Sequence, residues 1–119
     1  MEKKPLIVKN QEEFTRLVDN SDFRIIEAIV EGALNNINTT KRFIHILAVE
    51  VTEENDIYDL TLDRKEILGS LKRNLRYYEK NELYEKCREI VDAINYLENK
   101  EKIKQHEKNN NSGSKEEKA

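Results

Sequence analysis

Nucleophilic catalysis needs a nucleophile, a base to take its proton and a third group to orient that base. The bases on offer in this chain are His45 and His106, and the one thiol is Cys87. His106 falls in a C-terminal stretch of Lys, Glu, Asn, Ser and Gly, where nothing would hold it in place. His45 lies inside an apolar run. A lone histidine there carries no partner geometry, so a half-buried, hydrogen-bonded structural role is expected. Cys87 falls on an apolar helical seam, where a thiol acts as a small apolar side chain, and nothing beside it in sequence activates it. The chain is therefore expected not to be an enzyme.

Metal and cofactor chemistry is no better supplied. One cysteine and two distant histidines cannot make a zinc set. Asp56, Asp59 and Asp63 are spaced unlike a calcium loop and lack its glycine; they suit a turn, a solvent-facing strand position and a helix cap. The glycines, Gly32, Gly69 and Gly113, are too scattered for a phosphate-cradling loop. No metal or cofactor is expected. Glu27 and Glu31, four residues apart, could form a carboxylate pair, but their apolar neighbours favour a solvated helix edge.

Binding chemistry has two candidates. Lys72, Arg73 and Arg76 beside Tyr77 could grip phosphate and stack a base, which makes a nucleic-acid or nucleotide-binding protein the alternative reading. Against it, Glu79, Glu82 and Glu85 follow closely, and the whole chain balances 21 basic against 24 acidic residues for a net charge of -3. Backbone binding to nucleic acid scales with uncompensated cations, so another protein is the expected partner. The second candidate is aromatic. Five tyrosines stand in a chain with no tryptophan, and Tyr77, Tyr78 and Tyr84 gather near one turn, with Arg73 and Arg76 close by. Such residues are enriched at protein interfaces. They also close small cores, and residue type leaves both open.

The elements that must position these residues follow from periodicity. Leu6 to Val8 is a short β-prone run. Asn10 with Glu13 forms a capping box for a short helix over 11–19 carrying Phe14, Leu17 and Val18. Ser21 or Asp22 caps a second helix through about Ile37, with Phe23, Ile26, Val30, Ala33, Leu34 and Ile37 at steps of three and four. Gly32 costs about 1 kcal/mol there against alanine, which a close approach by another element would offset; the same argument applies to Gly69. Phe43 to Val51 alternates and is rich in β-branched residues, so a strand is expected, although Thr40 could cap a helix. Ile57 to Leu62 alternates clearly. The two runs flank a polar turn and predict a β-hairpin, which must pack on the helices to be stable. Leu6 to Val8 could add a third strand.

Asp63 and Glu66 form a second capping box for a helix to about Lys80, and Asn81 marks a turn. Leu83, Cys87, Ile90, Ile94 and Leu97 then step by four, three, four and three, a heptad seam. With Leu71 and Leu75 from the preceding helix, it predicts an antiparallel helical hairpin over 63–104, since the short link makes the two helices neighbours. The fold expected is α+β: a small, mostly helical single domain over residues 1–104, with a β-hairpin and a C-terminal helical hairpin. A polar tail over 105–119 is expected to be disordered.

The hairpin resembles the UVR motif, the helical hairpin of nucleotide-excision-repair subunits and of some protease adaptors. The matching positions are Leu71, Leu75, the Tyr84-Glu85 pair, Ile90, Asp92 and Ile94. Val91 stands where the family has an arginine, and Tyr78 and Arg88 stand where it often has alanines. The resemblance implies a protein-contact hairpin. The Tyr84-Glu85-Lys86-Cys87 stretch, preceded by a strand and an Asp-capped helix, also looks like the hairpins of small bacteriophage proteins. The function expected is thus a non-enzymatic interaction module: an accessory protein, adaptor, inhibitor or small virion component. Its hairpin would dock on another protein or on a second copy. The single cysteine and the lack of a signal-peptide core or an apolar run of about 20 residues lead to the expectation of a cytoplasmic protein, or a virion protein if it is part of a phage particle, with no membrane contact.

Overall fold

The computed structural model describes residues 5–118, with side chains described for 5–103. In chain order it comprises β1 (Leu6–Val8), α1 (Gln11–Asp19), α2 (Phe23–Asn35), β2 (Phe43–Val51), β3 (Asp56–Asp63), α3 (Ile67–Lys80) and α4 (Tyr84–Lys118). The protein is a small α+β domain. A three-stranded sheet has the order β1-β2-β3, with β1 parallel and β3 antiparallel to β2. The Phe43–Val51 segment is a strand, and Leu6–Val8 does add the third.

Local chemistry explains the boundaries. The Asn10 side chain accepts from the Glu13 amide at 2.9 Å, and the Glu13 carboxylate accepts from the Lys9 amide at 3.2 Å. The first bond satisfies a free amide of α1; the second reaches the amide of the residue before the cap, so the capping box closes one residue early. Asp22 caps α2 by accepting from the Arg24 amide. The Asp63 side chain accepts from the Lys65 amide at 3.0 Å. It caps a 3-10 turn (Arg64–Glu66), and α3 starts only after that turn, with no cap from the Glu66 side chain. The expected capping box is half formed. Arg64 is drawn away from it to the Asn36 carbonyl and the Thr39 hydroxyl, tying the end of α2 to the start of α3.

β2 departs from simple alternation. Its pairing with β3 slips by one residue between His45 and Leu47, a β-bulge. Ile44 and Ile46 are buried before the slip, and Leu47, Val49 and Val51 after it. The bulge thus lets five side chains of one strand enter a single core. That core joins Val8, Val30, Ile44, Ile67, Leu71 and Ile90 from strands and helices alike. Each such burial contributes about 1.5–3 kcal/mol relative to exposure. Gly32 of α2 sits on the bulge: a Cβ there would lie 2.7 Å from Ile46 Cδ1. The close approach expected of Gly32 is real. At Gly69 the neighbour a Cβ would meet is the guanidinium of Arg73, the mobile end of a side chain. No tight packing against a strand or helix explains that glycine.

α3 and α4 pack antiparallel as a helical hairpin, with Leu71, Ile90 and Ile94 buried and Leu75, Cys87 and Leu97 half-buried along the seam. Leu83 does not join them. Glu82 adopts a left-handed conformation (φ 58°), and the Leu83 amide donates to the Tyr78 carbonyl at 2.9 Å. Leu83 therefore lies in the turn, just ahead of Tyr84, and is exposed. The heptad register was right from Cys87 onward and began one step too early. The backbone of α4 continues as helix to Lys118. The expected disordered tail and His106 fall where side chains lie outside the described residues.

Candidate docking groove

Two helix stripes from distant parts of the sequence meet at the turn end of the hairpin. On α2, Phe23, Glu27 and Glu31 recur every four residues and share one face. On the turn and the first coils of α4, Glu82, Glu85, Lys86 and Glu89 line the opposite side, with Leu83 and Tyr84 between them. Together they line an open groove of about 700 Å³ with Tyr78 in its wall. Phe23, Glu27 and Glu31 also border a second hollow of about 520 Å³ that extends to Leu6, Ile7 and Leu47 beside β1. Three apolar side chains in the larger groove are solvent-accessible: Phe23 at 45%, Leu83 at 43% and Tyr84 at 67%.

The electrostatics are one-sided. Five carboxylates, Glu27, Glu31, Glu82, Glu85 and Glu89, face the ammonium of Lys86 alone, a formal charge of -4 (five negative, one positive). Lys86 donates to Glu31 at 2.6 Å and to Glu89 at 3.0 Å. These hydrogen bonds hold its pKa above the ordinary lysine value against the opposing effect of burial. The carboxylates of Glu27, Glu82 and Glu85 have no ion-pair or hydrogen-bond partner among the described residues.

Tyr78 is the anomaly of the groove. It is 3% exposed, and its ring meets Tyr77 edge-on at 5.4 Å. Its hydroxyl has no hydrogen-bond partner among the described residues. Burial, with Glu27 and Glu31 nearby, pushes the hydroxyl up to about 12. Buried polar atoms in folded proteins are satisfied in the large majority of cases, so a neutral, unpartnered phenol at the edge of a groove calls for a reason.

The residues singled out from sequence divide. Tyr84 lines the groove, while Tyr78 belongs to the core, its hydroxyl included. As a surface contact residue Tyr78 is corrected, because α3 turns it inward with Ser70 and Leu71. Tyr77 is half-buried, stacked on Phe23 at 5.6 Å. Arg73 and Arg76 are exposed on α3 and do not line the groove. Lys72 is held by Glu98 at 2.9 Å, and Arg73 donates to the Ser70 hydroxyl at 3.2 Å. The basic cluster is thus partly occupied within the fold. His45 is hydrogen-bonded, its Nε2 lying 3.0 Å from Asp59 Oδ1, but both side chains are more than half exposed. It is not half-buried, because β2 turns its odd positions outward before the bulge.

Sequence reasoning missed Phe23 as a surface residue, along with Glu82, Glu85, Lys86 and Glu89 as a set. The spacings were visible; that the two stripes face each other was not. No group of His, Cys, Asp and Glu among the described residues is arranged to hold a metal ion. No helix among them is long and apolar enough to cross a membrane. No protein-family model matches the chain, and neither a curated protein nor a solved structure matches it.

Proposed function

We propose that this chain is a non-enzymatic protein-interaction module whose docking surface is the groove between α2 and the turn of the α3–α4 hairpin. The observation behind this reading is the pairing of exposed apolar side chains, Phe23, Leu83 and Tyr84, with a rim of unpaired carboxylates. Solvent-accessible aromatics surrounded by charge are the usual make-up of a contact patch. The UVR-like hairpin adds to it, since in that family the hairpin is a protein-contact element. An accessory protein, adaptor, inhibitor or small virion component would all use the surface in this way. The nucleic-acid reading of Lys72, Arg73, Arg76 and Tyr77 has less behind it. One cation is already paired with Glu98, and the tyrosine ring is stacked on Phe23.

The test is affinity capture from the native cell with the wild-type chain and with a Leu83→Ser/Tyr84→Ser variant, read by mass spectrometry. Both side chains are exposed, so the variant should keep its fold, as checked by circular dichroism. At least one protein captured in stoichiometric amount should be lost with the variant. An identical captured set from both proteins would overturn the proposal.

A further inference from the structure

We infer that the groove receives an arginine side chain carried on a basic segment of a partner protein; this rests on the docking reading above and names the chemistry of what docks. Three independent features converge on a guanidinium. Unpaired carboxylates at Glu27, Glu82 and Glu85 leave a strongly negative hollow, and low-dielectric walls focus such a potential on an incoming cation. The Tyr78 hydroxyl is buried and unpartnered, with Glu27 and Glu31 nearby. Its oxygen is closed to solvent, so a donor brought in from outside meets it by parting the groove wall over it. Phe23 and Tyr84 offer exposed aromatic rings, which attract a cation over their faces.

Arginine fits this set better than the other candidate occupants. Its planar fork carries five donors, so it can reach a hydroxyl and a carboxylate at once while its flat face lies on a ring. Lysine is a compact, strongly hydrated point charge and gives up more water to enter. A phosphate-bearing ligand is repelled by the carboxylates. A bare divalent cation finds no clustered ligand set among the described residues. A second copy would have to bring one of its own exposed arginines, such as Arg16, Arg42, Arg73 or Arg76, which would show as self-association.

The experiment is an NMR titration of the full chain with Ac-Leu-Arg-Ala-Leu-amide, alongside the same peptide with lysine or with neutral citrulline in place of arginine. The arginine peptide should shift resonances of Phe23, Glu27, Glu31, Tyr78 and Tyr84 together. The lysine peptide should bind several-fold more weakly, and the citrulline peptide should leave the spectrum unchanged. Tyr78→Phe should weaken the arginine peptide about tenfold, the scale of one hydrogen bond to a charged group, with the melting temperature unchanged or higher. Glu27→Gln/Glu85→Gln should weaken it further and flatten its salt dependence. Equal binding of the lysine peptide, unchanged affinity in Tyr78→Phe, or shifts away from the groove would overturn the inference. So would a mass that rises with concentration in light scattering and falls to monomer in Glu27→Gln/Glu85→Gln. If the peptides fail while Leu83→Ser/Tyr84→Ser still loses its captured protein, the docking surface stands and the arginine assignment falls. If the captured set is also unchanged, the docking surface falls with it.

Discussion

The outer face of α3 and the groove beside it both carry clustered charge, and the fold treats them in opposite ways. On α3, Lys72 is matched by Glu98 across the hairpin, and Arg73 is turned onto its own helix by Ser70. In the groove, three of five carboxylates are left without a partner among the described residues, and an unpartnered hydroxyl is buried near Glu27 and Glu31. Partly paired charge on a solvated helix costs little and attracts less. Uncompensated like charge gathered beside exposed apolar side chains works against folding through mutual repulsion, and favours an incoming group of opposite sign. The comparison teaches that the residual charge after pairing in space, not the local density of charged residues, marks a binding surface.

The largest perturbation of this contrast is to remove what holds the groove together. Leu71 is fully buried where α3 meets the core. Leu71→Ala should cost about 2–5 kcal/mol and lower the thermal midpoint by roughly 10 °C or more, as read by calorimetry. A variant that loses stability on this scale yet keeps its affinity for the arginine peptide would show that the groove does not depend on hairpin packing. Gly32→Ala acts on the opposite wall. Alanine gains about 1 kcal/mol of helix propensity, but its Cβ would meet Ile46 at 2.7 Å, and overpacking costs about 1–3 kcal/mol. A net loss of about 1 kcal/mol in urea unfolding is expected, with Glu27 and Glu31 displaced along with α2.

Tyr78→Phe separates stability from recognition. Deleting a buried hydroxyl with no partner should leave stability unchanged or raise it by up to about 1 kcal/mol. A free tyrosine ionises near 10, whereas Tyr78 in the folded chain holds its proton up to about 12. Between these values the unfolded state has released a proton that the folded state keeps, so folded stability falls as pH rises through that window. Phenylalanine removes this slope. The advantage of the variant in urea melts should therefore grow from about pH 9 to about pH 11. The smallest effect belongs to the basic face: Lys72→Ala should cost at most about 1 kcal/mol, and less in high salt, because its pair with Glu98 is about half exposed.

Much of the fold was legible because its signals are local. Asn10, Asp22 and Asp63 each cap within a few residues, the alternation of Ile57 to Leu62 needs only its own strand, and the steps from Cys87 to Leu97 need only their own helix. What was not legible depended on contacts between elements. The left-handed Glu82 pulled Leu83 out of a seam that periodicity had assigned it. The Phe23–Glu27–Glu31 stripe was visible along α2, but its meaning came from Glu82, Glu85 and Glu89 arriving more than fifty residues later in the chain. Tyr78 carried two signals: it continues the Ile67, Leu71 and Leu75 side of its helix, which points inward, and it clusters with Tyr77 and Tyr84, which points to a contact surface; the packing of α3 follows the first.

The slipped pairing at Ile46 gives the central strand a spare link. Without that residue, Ile44, Leu47, Val49 and Val51 would fall into strict alternation, and each would keep its present partner on β3. The chain can therefore lose one position there without turning the sheet inside out, whereas a deletion farther along β2 would exchange its wet and dry sides. The void left by such a loss would open directly above Gly32. An alanine that crowds the full-length strand should sit comfortably on the shortened one, so the two changes should be far milder together than their separate penalties suggest.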